Sequence, residues 1–303
     1  MNYSIVIPTH NRREKLYNLI VSIEMLSEKP TEIIVVDDAS TDDSEDMVRS
    51  NFPYVRYFKM EKELWTSFTL SYGIAKAKND LVYIIDDDNV VDDSSVMPII
   101  KNFEQDKDKV IGVIGPVTCW LKEDDRIMYA GATYNKLNGI PKALYKDESY
   151  LKLIKNMKQM DKLVEVDGIP NAFMIRRSQA IAVGLIPRYL TFMHDDGYLI
   201  YSIKRILNKK IYVCLNSRIF HDYENTGRLS DFRLYYTIRN KILFTKEQYS
   251  YFRAIINMTF IPLVVAYYAY LALKNDPYNP RIMLLMKALK DGMLSLKENG
   301  LTT

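Results

Sequence analysis

The chain has 303 residues, 48% of them hydrophobic and 26% charged, with a formal net charge of +3. That size and balance allow one large domain or two small ones with a buried core, and they exclude a disordered, collagen-like or disulfide-framework chain. So small a positive surplus gives no argument for nucleic-acid binding. Cys119 and Cys214 are too far apart in sequence for a CxxC zinc or redox motif, which points to a reducing compartment. Met1-Asn2-Tyr3 runs straight into an apolar stretch without the basic region and long apolar core of a secretory signal, so a cytoplasmic location is expected.

The first ninety residues alternate strand and helix signals. Tyr3–Ile7 is an apolar run that stops at Pro8, and reads as a buried strand. Arg13–Leu26 places Leu16, Leu19, Ile20, Ile23 and Leu26 at helical spacing. Glu32–Val36 is a second strand, followed by Asp37-Asp38-Ala39-Ser40. Thr41 or Asp42 can cap a helix reaching about Ser50. Val55–Lys59 is a weaker strand, Trp65–Lys78 a helix, and Leu81–Ile85 a fourth strand that ends in Asp86-Asp87-Asp88-Asn89. β-branched strands alternating with helices predict an α/β fold with a parallel sheet covered on both faces. Ligands of such sheets bind beyond the carboxyl ends of the strands, where Thr9-His10-Asn11-Arg12, Asp37-Asp38 and Asp86-Asp87-Asp88 all fall.

Further along, Val110–Val117, Val164–Ile169, Ala172–Arg176 and Ile211–Leu215 read as strands, and Ser178–Val183 and Gly197–Leu207 as helices. Tyr129–Asp147, with Gly131, Gly139 and Pro141, reads as a loop or hairpin, and Ser149–Asp161 as a short helix or lid. One domain is expected over residues 1–225. A C-terminal helical region is expected over residues 226–303. Lys204–Arg253 holds eleven Lys/Arg against four Asp/Glu. Ile255–Leu273 then carries no charge and includes Tyr267, Tyr268 and Tyr270. As a helix this stretch would span roughly 28 Å, close to a bilayer core, although Asn257, Thr259 and Pro262 weaken it as a spanning segment. It reads either as contact with an anionic membrane surface or as a packed helix or dimer interface, so oligomers through these helices are allowed.

In an extended strand Asp86 and Asp88 face one side and Asp87 the other. Two carboxylates on one side repel unless a cation joins them, and hard oxygen ligands suit Mg²⁺ or Mn²⁺.

Three segments together carry a resemblance: Ile5–Arg12 (IVIPTHNR), Val35–Ser40 (VVDDAS) and Ile84–Asn89 (IIDDDN). In order and spacing they resemble the N-terminal signatures of family 2 glycosyltransferases, inverting enzymes of the GT-A (nucleotide-diphospho-sugar transferase) fold, which implies an α/β fold with a mixed, mostly parallel central sheet. The resemblance implies a nucleotide-sugar donor and a saccharide or lipid-linked saccharide acceptor. It implies that Pro8, Thr9, His10, Arg12, Asp38, Asp86 and Asp87 contact the donor, with Thr9 and His10 flanking the base and Asp38 bonding it. It further implies a divalent metal on Asp86, Asp88 and His221, the last in Ile219-Phe220-His221. His194-Asp195-Asp196-Gly197 occupies the place of the family's Glu-Asp motif, which implies Asp196 as base and Asp195 beside it. Tyr235-Tyr236-Thr237-Ile238-Arg239-Asn240 resembles a segment of the branch acting on rhamnose or galactofuranose polymers, and it reads equally as an ordinary amphipathic helix. The chain departs from the family at Trp65–Gly73, where a Gly-rich, Asn-containing stretch is usual and only Gly73 matches. Competing readings are a polyprenyl-phosphate glycosyltransferase, a noncatalytic nucleotide-sugar-binding module, and a nucleotidyltransferase. The last would need a Gly-rich basic phosphate loop, and Pro8–Arg12 has no glycine.

Overall fold

The computed structural model describes residues 1–123, 125–135, 141–157, 162–222, 230–249, 251–274 and 281–294. Its centre is a sheet built on parallel strands β1 (Tyr3–Thr9), β2 (Glu32–Asp37), β3 (Arg56–Lys59) and β4 (Leu81–Ile85). Helices α1 (Arg13–Glu24), α2 (Ser44–Asn51) and α3 (Trp65–Lys76) connect them. After β5 (Asn89–Val90) and α4 (Asp93–Gln105) come β6 (Ile111–Trp120) and β7 (Ile127–Tyr129), then the hairpin β8 (Ala132–Tyr134) and β9 (Pro141–Ala143). The chain continues through α5 (Tyr150–Asn156), β10 (Leu163–Glu165), β11 (Ala172–Arg176), α6 (Arg177–Ala182), α7 (Asp195–Leu207) and β12 (Lys210–His221). The sheet order is β10-β12-β6-β11-β4-β1-β2-β3, with β5 paired to β12 and β7 to β6. β11 runs antiparallel to both β4 and β6, and β12 parallel to β6, so β12 points the same way as β4.

Alternate residues of each central strand feed opposite cores. Val6, Ile34, Val36, Val82 and Ile84 pack with Leu70 and Ile74 of α3 and with Leu199, Ile200 and Ile203 of α7. Ile5, Ile7, Ile33, Val35, Tyr83 and Ile85 pack with α1 and with Val96, Ile99, Ile100 and Phe103 of α4. Both faces are covered, as the near-continuous apolar strands require.

Several expectations shift. β1 continues through Pro8 to Thr9. It pairs β4 only as far as Val6 and keeps β2 beyond, so Pro8 sits where the strand has become an edge on one side and a missing N–H is tolerated. The helix expected to be capped by Thr41 or Asp42 starts at Ser44 after Asp43, and Asp42 still accepts the Ser44 amide. Val164–Ile169 shortens to β10, and of Ser149–Asp161 the helix α5 stands while 158–161 lie outside the described residues. α4 is unannounced in the sequence because Pro98 falls inside it. Its start is secured by a reciprocal capping box between Asp92 and Ser95.

The C-terminal region is helical: α8 (Asp231–Gln248), α9 (Tyr251–Leu273) and α10 (Arg281–Met293). Leu234, Tyr235, Ile238 and Ile242 of α8 pack with Ile261, Val265, Leu285 and Ala288 in a third core. Among the described residues no helix is long and apolar enough to cross a membrane.

Gly73 is where α3 approaches the sheet most closely. A Cβ there would stand 2.4 Å from Val6 Cγ1 and 3.2 Å from Val36 Cγ2. Both valines are fully buried and stiff at χ1. Alanine is the better helix former by about 1 kcal/mol, but overpacking a closed core costs about 1–3 kcal/mol. Gly73→Ala is therefore expected to lower the urea midpoint; an unchanged or raised midpoint would show that the helix can move away freely.

Candidate active site

Because β1, β2, β4 and β12 all run the same way, their carboxyl ends meet at one edge of the sheet. A cleft of about 710 Å³ opens there. Pro8, Thr9, His10 and Arg12 line it from the end of β1, Asp38 from β2, Asp86, Asp87 and Asp88 from β4, and His221 from β12. Every donor and metal residue expected from the sequence thus faces one space.

The turns that deliver these groups are tied to each other. Asn11 has φ 53° and its Oδ1 accepts the Thr41 amide, while Ser40 Oγ accepts the Asn11 amide. The Asp38 carboxylate accepts the amides of Leu64 (2.6 Å) and Trp65 (2.8 Å). Burial pushes its pKa up, and these two amides pull against that. His10 Nδ1 lies 2.7 Å from the Asp38 carbonyl.

The Asp86-Asp87-Asp88 run does not alternate as an extended strand would. β4 ends at Ile85 and the chain turns, so Arg12 Nη1 reaches both Asp87 Oδ1 (2.8 Å) and Asp88 Oδ2 (2.9 Å). Asp87 is also held by Thr9 Oγ1 at 2.7 Å, and burial raises its pKa. Asp88 Oδ1 lies 3.0 Å from His221 Nε2. Burial alone would raise Asp88, but the bond to His221 and the charges of His221, Arg12 and Lys15 outweigh it and hold its pKa below the usual range. Asp86 is pushed well above the usual range by burial first, then by Asp88, Asp87, Asp196 and Asp195.

Asp195 and Asp196 begin α7 and do not line the cleft, yet their charges reach Asp86. Asp196 Oδ1 accepts the Gly197 amide at 2.6 Å. Burial raises both pKa values, and Asp196 raises Asp195 further. They titrate as a pair.

The chemistry of this set fits a hard divalent cation. Asp86 and Asp88 offer carboxylate oxygens and His221 an imidazole nitrogen, and the burial and repulsion that lift Asp86 would both be countered by added positive charge. A second group converges more tightly: among the described residues, donor atoms of His10, Asp38 and Glu63 lie within 4.8 Å of one another.

The sequence reading missed part of the cleft wall. Trp65, Thr66 and Thr69 line it from the stretch that departs from the family pattern, and Phe192, Phe232 and Arg233 line it from segments distant in sequence. Trp65 stacks on Phe232 with ring centroids 4.2 Å apart. Only the aromatic content of these segments hinted at them.

Comparison with known proteins agrees with this fold. The family model for Glycosyl transferase family 2 matches residues 4–184. Glycosyltransferase GlyG of Streptococcus pneumoniae serotype 4 is 30% identical over 115 residues, 36% of this chain and 38% of that protein, so the match spans well under two thirds of that relative. The crystal structure of GalNAc-T7 with UDP, GalNAc and Mn²⁺ superposes with a TM-score of 0.66 at 17% identity, over 96% of this chain and 55% of the other. S. aureus TarS 1-349 in complex with UDP-GlcNAc gives 0.61 at 14% identity, over 96% and 81%. At those identities the likeness is one of fold, and the fold is the α/β GT-A fold.

The lifted pKa of Asp86 has a consequence for stability. Between the ordinary carboxylate value and its raised value the folded chain binds more protons than the unfolded one, so stability falls as pH rises through that window and stays reduced above it. Asp86→Asn removes the loss. In EDTA at about pH 8 the variant is expected to melt above the parent, by about 1–2 °C for each kcal/mol relieved, and the two should converge in acid. Scanning calorimetry checks this; a variant that melts lower at every pH contradicts it.

Proposed function

Since the chain belongs to glycosyl transferase family 2, we propose that it moves a glycosyl group from a nucleoside-diphosphate donor to a hydroxyl of a saccharide or lipid-linked saccharide, with inversion at the anomeric carbon. The observation that carries this reading is the one cleft in which the ends of β1, β2, β4 and β12 gather Thr9, His10 and Asp38, a carboxylate cluster and an imidazole. In this reading Thr9, His10 and Asp38 form the base end, with Pro8 beside them. Arg12, whose side chain is 48% exposed, can turn its free donors toward phosphate.

The cation belongs on Asp86, Asp88 and His221 rather than on His10, Asp38 and Glu63. Both Asp38 oxygens accept backbone amides, which stay where the fold puts them, whereas Asp88 is held by the side chains of Arg12 and His221, which can give way to a cation. When bound, the cation supplies Lewis-acid neutralisation of the leaving diphosphate. The chain's own residues do the rest. Asp196 takes the proton of the acceptor hydroxyl as that oxygen attacks from the face opposite the diphosphate. Asp195, adjacent and buried, helps to raise the pair's pKa toward a working pH. The rhamnose- and galactofuranose-polymer branch is favoured by the Tyr235–Asn240 segment. Exposed Leu263, Tyr267 and Tyr270, with exposed Lys287 and Lys290 nearby in sequence, support a peripheral contact of residues 226–303 with an anionic membrane surface.

Turnover with a panel of UDP-glucose, UDP-galactose, UDP-N-acetylglucosamine, GDP-mannose and dTDP-rhamnose, with Mn²⁺ and saccharide or lipid-linked acceptors, tests the reading; no transfer and no donor hydrolysis from any of them contradicts it. With the active donor, Asp196→Asn is expected to lower kcat by about 10²-fold or more while leaving the donor KM near normal. The parent's kcat should rise with pH through an apparent pKa above the ordinary carboxylate range, as the raised pair loses its proton. Full turnover by Asp196→Asn, with Asp195→Asn inactive, would move the base one residue upstream.

A further inference from the structure

α8 carries two adjacent polar side chains, Arg239 and Asn240, that are both completely buried. An enclosed guanidinium is uncommon, and the cost of burying it is offset only by well-placed acceptors. Four of the acceptors are backbone carbonyls of one short segment. Arg239 Nη1 donates to the Tyr189 carbonyl (2.7 Å) and to Asn240 Oδ1 (2.8 Å). Asn240 Nδ2 donates to the carbonyls of Leu190, Phe192 (2.6 Å) and Met193 (3.1 Å). The orientation of the Asn240 amide follows from this set, because its oxygen faces a donor and its nitrogen faces three acceptors.

The segment so held leads directly into Asp195-Asp196, and its backbone is unusual. Thr191 has φ 43°, Met193 φ 65° and His194 φ 64°, three non-glycine residues in the left-handed region within four positions. Such conformations persist only where surrounding contacts over-determine them, and they are least favourable for a β-branched residue such as Thr191. α8 supplies those contacts. Further along the same helix, Glu247 accepts the hydroxyls of Tyr189 and of Tyr198 (3.1 Å), one on either side of the carboxylate pair. On the other side of the segment the Ser67 amide donates to the Thr191 carbonyl at 3.3 Å, and Phe192 lines the cleft. An apolar side chain could fill the volume of Asn240, but it could not hold three carbonyls turned toward α8.

We propose that Arg239 and Asn240 are positioning residues: they fix the strained backbone of residues 189–194 and so aim Asp195 and Asp196 at the donor cleft. This rests on the reading of Asp196 as the base. The polar pair therefore links the C-terminal helices to the chemistry, and α8 completes the site rather than decorating it.

The test is a double-mutant cycle on the full chain, using the donor with the highest turnover in the panel above. Asn240→Ser is expected to lower kcat by about 10²-fold, as a base displaced by about 1 Å would, while affinity for UDP with Mn²⁺ stays within about threefold of the parent. Combined with Asp196→Asn it should cost little more than Asp196→Asn alone, because the clamp acts through that carboxylate. Met193→Gly, which lets a left-handed position form without strain, should recover part of the kcat lost in Asn240→Ser. Arg239→Lys keeps the charge but loses the planar fork, and it carries the same cycle if Asn240→Ser does not fold. Unchanged kcat in these variants, equal losses of kcat and UDP affinity, or losses that add fully to those of Asp196→Asn would overturn the proposal. If Asp196→Asn itself turns over normally, the reading of the base has failed instead.

Discussion

Asp86, Asp87, Asp88, Asp195 and Asp196 gather at one end of the sheet, and accommodating these buried carboxylates is the constraint to which the surrounding structure responds. Two charges about 4 Å apart interact by about 4 kcal/mol at the effective dielectric of a partly enclosed site. The fold meets this group by group. Asp87 is anchored by Thr9 and Arg12, and Asp88 by Arg12 and His221. Asp195 and Asp196 have raised pKa values at the start of α7, where the helix dipole and nearby amides favour negative charge. Asp86 carries the balance of the repulsion. A chain selected only for stability would not keep such a group, and strongly perturbed carboxylates of this kind cluster at functional sites.

The same edge of the sheet concentrates backbone conformations that cost free energy. Asn11, Ala39 and Trp65 lie near the ends of β1 and β2 and at the start of α3, all with positive φ. Thr191, Met193 and His194 precede α7. Each group is held from outside its own turn: Asn11 by Ser40, Trp65 by Asp38, and the 189–194 segment by α8. Rigid strands and borrowed side chains thus fix loops that would otherwise sample many states, which is what a site requiring sub-ångström placement needs.

How much of this could be read from the sequence depended on how local the cause was. The strand ends carrying Thr9, Asp38 and Asp86 were legible because apolar β-branched runs stop abruptly at polar residues, and parallel strands must end at the same edge. His221 was legible through the segment that precedes it. The alternation expected for Asp86, Asp87 and Asp88 failed because the strand gives way to a turn at Ile85, which the residue types do not signal. α4 was hidden by Pro98. The roles of Arg239 and Asn240 were invisible because their partners lie about fifty residues upstream, brought together only by the docking of α8. Phe192 and Phe232 enter the cleft wall by the same docking. What pattern reading missed at the cleft wall and beneath Asp195 is therefore tertiary in origin, whereas the turn after Ile85 and α4 were missed for local reasons.

In the proposed reaction the carboxylate cluster holds a cation for a nucleoside diphosphate. Calorimetric titration of UDP, GDP and dTDP in turn into the full chain, each once with Mn²⁺ and once in EDTA, tests this most directly. Because cation and diphosphate share the cleft, each should strengthen the other, and the diphosphate that binds is expected to do so about tenfold or more tightly with Mn²⁺ present. Equal affinity in the two titrations, or no heat from any of the three, would contradict it.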